Sequence, residues 1–87
     1  MYKLQPTKNF EKTLKRLSIN EQRAVAKKLT LLATSPSHPS LRTKKIQGTI
    51  ELFECSVNMD IRIIWKYDGQ RIILLLETGH HDILKQF

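Results

Sequence analysis

Between Met59 and Asp82 apolar and polar residues alternate on either side of an Asp68-Gly69 dipeptide. A period of two predicts strands, and Asp-Gly supplies the positive φ angles of a tight two-residue hairpin turn. With Asp68 and Gly69 as the loop, Tyr67 faces Gln70, Trp65 faces Ile72, Ile63 faces Leu74 and Arg62 faces Leu75. This register collects Ile61, Ile63, Trp65, Tyr67, Ile72, Leu74 and Leu76 on one face, which requires a hydrophobic cover. The opposite face carries Arg62, Ile64, Lys66, Arg71, Ile73, Leu75 and Glu77, an apolar strip edged with charge and half-open.

Upstream the period lengthens. Tyr2 to Gln5 alternates and then meets Pro6, which suits a short first strand. Thr7 or Asn9 can cap a helix over 8–17, in which Phe10, Leu14 and Leu17 recur at helical spacing. Ser18 and Glu21 form a capping-box pattern that opens a second helix. Its apolar stripe is Val25, Leu29 and Leu32 with Ala26 and Ala33, and it ends at Thr34-Ser35-Pro36. Residues 35–49 hold Pro36, Pro39, Gly48 and three serines and read as a loop, strongly basic from Leu41 to Lys45. Ile50 to Val57 alternates as a further strand. The order β-α-α-β-β-β predicts an α+β fold, a single domain over 1–87, with two N-terminal helices packed on one face of a small, mainly antiparallel sheet.

Charge narrows the function classes. Fifteen Lys and Arg against eight Asp and Glu give +7 on a chain of 87 residues. Such a balance favours a polyanionic partner: nucleic acid, a ribonucleoprotein or an acidic protein segment. The basic residues are spread over helices, loop and strands, unlike those of a membrane-surface helix. One cysteine, Cys55, excludes an internal disulfide and suits a reducing compartment; with no activating neighbour in sequence it reads as a buried structural thiol. No apolar run is long enough for export or a membrane span, so the expected location is the cytoplasm. No metal is expected, because His80-His81-Asp82 are adjacent residues that rarely converge on one ion, and the isolated glycines form no phosphate loop for a cofactor.

What remains is a metal-independent set: Arg62 on the half-open face, His80 and His81 after the last strand, and Lys44 and Lys45 in the basic loop. These residue types suit cleavage of an RNA phosphodiester by its own 2′-hydroxyl, which needs a proton acceptor, a proton donor and cations around the phosphorane. Each also has a purely structural use. Arg62 stands diagonal to Glu77, where an ion pair would serve the hairpin alone, and a tail histidine can be a cap or a solvated residue.

The whole chain resembles the RelE/ParE superfamily of toxins from type II toxin–antitoxin modules. The likeness rests on the opening strand and Phe10-Glu11-Lys12 helix, Lys45-Ile46-Gln47-Gly48, Asp60-Ile61-Arg62-Ile63-Ile64-Trp65, and Thr78-Gly79-His80-His81-Asp82-Ile83-Leu84. It implies a compact toxin held inactive by a cognate antitoxin, and a ribosome-dependent endonuclease that cuts mRNA without a metal. In that comparison Arg62 stabilises the scissile phosphate and His81 takes part in proton transfer, while His80 and Asp60 match positions used in a YafQ-like subgroup. Lys44 and Lys45 resemble a ribosomal RNA-binding region, Arg42 and Lys66 are further candidates for RNA contact, and Phe87 stands in for a tail aromatic. Three positions depart from the pattern: Glu77 replaces an arginine, Lys85 a tyrosine, and Phe53-Glu54-Cys55 a stretch with paired lysines. The resemblance also admits a gyrase inhibitor of the ParE branch, or an inactive relative that only binds antitoxin or operator DNA.

Overall fold

The computed structural model describes residues 1–86. Its elements are β1 (Lys3–Pro6), α1 (Lys8–Lys15), α2 (Ile19–Thr34), β2 (Lys44–Lys45), β3 (Phe53–Ser56), β4 (Ile61–Asp68) and β5 (Ile72–His80). A 3-10 turn spans Pro39–Leu41, and a C-terminal 3-10 helix spans His81–Gln86. The strands form one sheet in the order β1-β5-β4-β3-β2, antiparallel except where β1 lies parallel to β5. A parallel neighbour requires a crossover, and the α1–α2 pair supplies it.

Both helices start where the sequence signals them. The Thr7 hydroxyl accepts the Phe10 amide, and Ser18 and Glu21 complete a reciprocal capping box. Phe10, Leu17, Val25 and Leu32 are buried against Cys55, Ile61, Ile63, Trp65, Ile73 and Leu75, and Leu14 and Leu29 pack beside them. Ala26, expected in the stripe, is exposed; Ala24 and Leu31 take the inward places instead. Leu41, in what reads as an open loop, is fully buried and anchors the turn after α2.

The hairpin differs from its expected register. Asp68 pairs with Ile72, so Gly69-Gln70-Arg71 make the turn, with Gly69 at φ +74°. A loop one residue longer reverses the face of the strand that follows. Ile73 and Leu75 therefore face the helices, and Ile72, Leu74 and Leu76 are only half-buried. Beyond Leu75 the register shifts again: Trp65 pairs with Leu75, but Ile64 pairs with Glu77. The extra residue is a bulge that returns Thr78 to the helix side and Glu77 to the far side. The expected strand from Ile50 is also shorter: Ile50 is exposed, and pairing begins at Phe53.

The half-open face of the hairpin turns out to be partly covered. The C-terminal 3-10 helix contacts β4 and β5, and Ile64 and Ile46 are buried outside the main core. An added Cβ at Gly79 would lie 2.9 Å from Ile83 Cγ2, so the missing side chain there makes room for this cover.

β1 ends at Pro6, opposite Leu75, and leaves the rest of the β5 edge without a strand. Side chains of α1 and its cap take over. Thr7 Oγ1 donates to Leu75 O (2.8 Å), Asn9 Nδ2 donates to Leu76 O (2.9 Å), and Thr13 Oγ1 accepts the Thr78 amide (3.1 Å). Replacing Thr13 with valine keeps the shape and orphans a buried amide. The expected loss is about 1–3 kcal/mol in urea unfolding, with faster hydrogen exchange at Thr78.

Candidate active site

On the face away from α1 and α2 the sheet register builds two rows. Lys44, Glu54, Ile64 and Glu77 stand side by side, and next to them Ser56, Arg62 and Gly79. Arg62 is held tightly by main-chain oxygens. Its Nη1 donates to Asn58 O (2.8 Å), Met59 O (3.2 Å) and Ile61 O (3.2 Å), and its Nε lies 3.9 Å from Glu54 Oε1. The turn that offers these oxygens is itself fixed, because Asn58 Oδ1 accepts the amides of Asp60 and Ile61, both at 2.8 Å. The arginine side chain retains 17% exposure, enough to meet a ligand from the open end of the sheet.

Glu54 is the residue that sequence reasoning missed. It is only 7% exposed, and among the described residues its carboxylate accepts no hydrogen bond; its ion pair is with Arg62. The Glu54 carboxylate lines an open cleft beside the Arg62 guanidinium, a position from which it can meet a ligand. Strand alternation alone could have placed Glu54 opposite Ile64, but only the sheet order sets it beside Arg62. The carboxylate paired with Arg62 is thus Glu54. Glu77, the partner considered from the sequence, accepts from Asn9 Nδ2 (3.2 Å).

The remaining candidates divide between the two ends and faces of the sheet. The His81 amide donates to Asp60 O (2.7 Å), which ties the start of the C-terminal 3-10 helix to the same turn that cradles Arg62. The Arg62 side chain, paired with Glu54, and the backbone of Asp60 and His81 therefore adjoin at one end of the sheet. His80 pairs with Ile61, on the helix side, and its Nε2 lies 3.3 Å from Glu21 Oε2. That glutamate's carboxyl is held below its ordinary value, first by the Ser18 amide. Lys66 lies further along β4 and pairs with Glu51 (3.3 Å). Lys44 and Lys45 are not in a loop: they form edge strand β2, with Lys44 in register with Glu54. A stretch of two residues is too short to show a period, so nothing in the sequence marks it as a strand. Phe87 lies outside the described residues.

Clefts open on both sides of the Arg62–Glu54 pair. One, of about 360 Å³, is lined by Lys44, Lys45, Gln47, Glu54 and Leu84. The other, of about 210 Å³, lies between Arg42 and Arg62. Among the described residues no group of three His, Cys, Asp or Glu side chains could hold a metal ion, and no helix is long and apolar enough to cross a membrane. Cys55 is buried on the helix side, and burial pushes its thiol up to about 12. A carboxylate can accept a proton and a guanidinium can stabilise anionic charge, so the chemistry of the Glu54–Arg62 pair suits a phosphodiester ligand.

No protein-family model and no curated protein matches the chain. Solved structures do. A metal-bound toxin from Helicobacter pylori is 26% identical, with a TM-score of 0.79 over 97% of this chain and 99% of that one. YafQ from E. coli is 17% identical, with a TM-score of 0.77 over 97% and 98%. The RelBE2 toxin–antitoxin complex of Mycobacterium tuberculosis contains a chain 19% identical, with a TM-score of 0.77 over 92% and 98%. The structural neighbours are RelE- and YafQ-type toxins, and the chain has their α+β fold.

Two outcomes test the geometry around the site. The Cys55 thiol, raised in the folded state, adds stability at pH values below its ordinary 9.0; that contribution is lost as pH rises from there towards about 12. Urea midpoints measured across this window should fall less in Cys55→Ala than in the parent chain. Gly79→Ala should cost about 1–3 kcal/mol by crowding Ile83, and nuclear magnetic resonance should show shifted signals in 81–84.

Proposed function

We propose that the chain is the toxin of a type II toxin–antitoxin module and an endoribonuclease that cuts mRNA on the ribosome without a metal. The observation that carries this reading is the pairing of Arg62 with Glu54, a carboxylate that lines an open cleft, near the sheet end where His81 begins the C-terminal helix. The toxin fold of its structural neighbours supports it, as does the +7 charge.

In this mechanism the Glu54 carboxylate accepts the proton of the 2′-hydroxyl, whose oxygen attacks the adjacent phosphorus. Arg62 stabilises the negative charge that builds on the phosphorane oxygens. The P–O5′ bond breaks, and protonated His81 gives its proton to the leaving oxygen, leaving a 2′,3′-cyclic phosphate and a 5′-hydroxyl. The Asp60 carbonyl oxygen holds the His81 backbone amide at the start of the C-terminal helix. Lys44 and Lys45 at the sheet edge, and Lys66 beyond, attract the RNA backbone; such contacts steer binding and weaken with salt. Phe87 is assigned to base stacking. His80 is placed at the helix side as a support. The antitoxin is an acidic or amphipathic segment that orders as it covers the basic surface.

Primer extension on cellular mRNA after induction tests this directly. The parent chain should give codon-phased cuts at translated positions. Arg62→Ala should lower the cleavage rate about 100- to 1,000-fold, and Glu54→Gln and His81→Ala about 100- to 10,000-fold, with circular dichroism unchanged. Full toxicity in all three folded variants sinks the assignment. Inhibition of gyrase supercoiling with mRNA intact would select the binding-inhibitor alternative.

A further inference from the structure

We propose that the cleft between Arg42 and Arg62 binds the nucleotide on the 3′ side of the cut together with the phosphate that follows it. RNA then crosses the sheet in one direction, with the 5′ nucleoside over Glu54 and the 3′ nucleoside over Met59. The proposal rests on the reading above and adds a subsite and a strand polarity to it.

The cleft, of about 210 Å³, is walled by Ser40, Arg42, Ser56, Asn58, Met59 and Arg62, two guanidinium groups with no carboxylate among the lining residues. Its chemistry is that of a site for a phosphate beside a less polar group. Met59, 90% exposed, offers a polarisable thioether on which a base can lie. Arg62 is partly neutralised by Glu54, whereas among the described residues Arg42 has no ion pair.

Arg42 carries a second, independent mark. Its backbone sits at φ 50°, ψ 44°, and it is the only non-glycine residue with positive φ among those described. Glycine or asparagine adopts this left-handed conformation at less cost, so an arginine there departs from local preference. The turn is held from both sides: Leu41 is fully buried, the Arg42 amide donates to Pro39 O (3.2 Å), and Thr43 Oγ1 donates to Pro36 O (2.7 Å). Arg42 ends the 3-10 turn in the left-handed conformation common at such termini, and non-glycine residues held in it occur at ligand sites as well.

Polarity follows from which atoms each group serves. The attacking 2′-hydroxyl belongs to the nucleoside 5′ of the cut, so that nucleoside lies over Glu54, in the cleft of Lys44 and Gln47. The leaving O5′ belongs to the 3′ nucleoside and must face His81. The His81 backbone amide is tied to Asp60 O (2.7 Å), and the Asp60 amide to Asn58 Oδ1 (2.8 Å), so the start of the C-terminal helix, from which the His81 side chain projects, lies at the Asn58–Met59 end where the Arg42 cleft opens. One phosphate further on, Arg42 is the cation that the cleft presents.

The test uses ribosome-bound mRNA with a single neutral methylphosphonate, read by cleavage rate at sub-saturating toxin. Neutralising the phosphate that follows the 3′ nucleotide should slow the parent chain about tenfold, the size of one charge-assisted contact. Arg42→Asn, which suits the left-handed turn, should cut both mRNAs at that same slow rate, with a Tm no lower than the parent's. A methylphosphonate before the 5′ nucleoside should slow the parent and Arg42→Asn by equal factors. If Arg42→Asn remains sensitive to the downstream substitution, or the parent ignores it, the subsite is wrong while the roles of Arg62, Glu54 and His81 stand. If Arg42 couples to the upstream phosphate instead, the polarity is reversed. If the parent chain cuts no mRNA on the ribosome, the functional reading fails and the subsite falls with it.

Discussion

Every hydrogen-bonding group along β5 must find a partner, and the rest of the molecule is arranged around that requirement. β5 is the longest strand and lies between β1 and β4, but β1 accompanies it only from Ile72 to Leu75. Beyond that point Thr7, Asn9 and Thr13 take the place of a strand. Unpaired backbone groups buried under a helix would be expensive. The cap and inward face of α1 are therefore fixed as much by these polar contacts as by Phe10 and Leu17 burying themselves in the core.

The same stretch of β5 carries the bulge, and the bulge shapes the candidate site. It returns Thr78 to the helix side, where it meets Thr13, and puts Gly79 across from Arg62 on the outer face. With no side chain at Gly79, Ile83 can approach the sheet, and the C-terminal helix begins beside Asp60. A local irregularity in one strand thus sets where a histidine, an arginine and the turn that holds the arginine come together. The Arg62–Glu54 pair is close enough for attraction and too long for a strong hydrogen bond. Three carbonyl oxygens, rather than the carboxylate, fix the guanidinium. Arrangements of this kind keep a cation and a carboxylate near one another without locking them together.

Much of the fold was legible in the chain because it follows from local period and local caps. The buried helix positions Phe10, Leu17, Val25 and Leu32, the capping box at Ser18, and the presence of two long apolar strands, though not the face each residue of β5 takes, read correctly. The site was legible in part. Arg62, with its position on the middle strand, could be singled out by charge on an apolar face. Glu54 could not, because its significance depends on a neighbour from another strand. Arg42 was visible only as one more basic residue in a loop, and its left-handed backbone is a property of the folded turn.

The sequence alone determined what each segment prefers: helix or strand, which residues need burial, and that the surface would be strongly basic. Tertiary structure decided the three-residue turn at Gly69-Gln70-Arg71, the bulge after Leu75, the edge strand at Lys44–Lys45 and the cover over the outer face. The reason is physical. Periodicity is a short-range property that successive side chains carry with them, whereas strand register is settled by backbone partners far away in the chain. Changing a loop by one residue reverses which side chains meet across a sheet, so the meeting of Arg62 with Glu54 and of Asp60 with His81 had to await the assembled sheet.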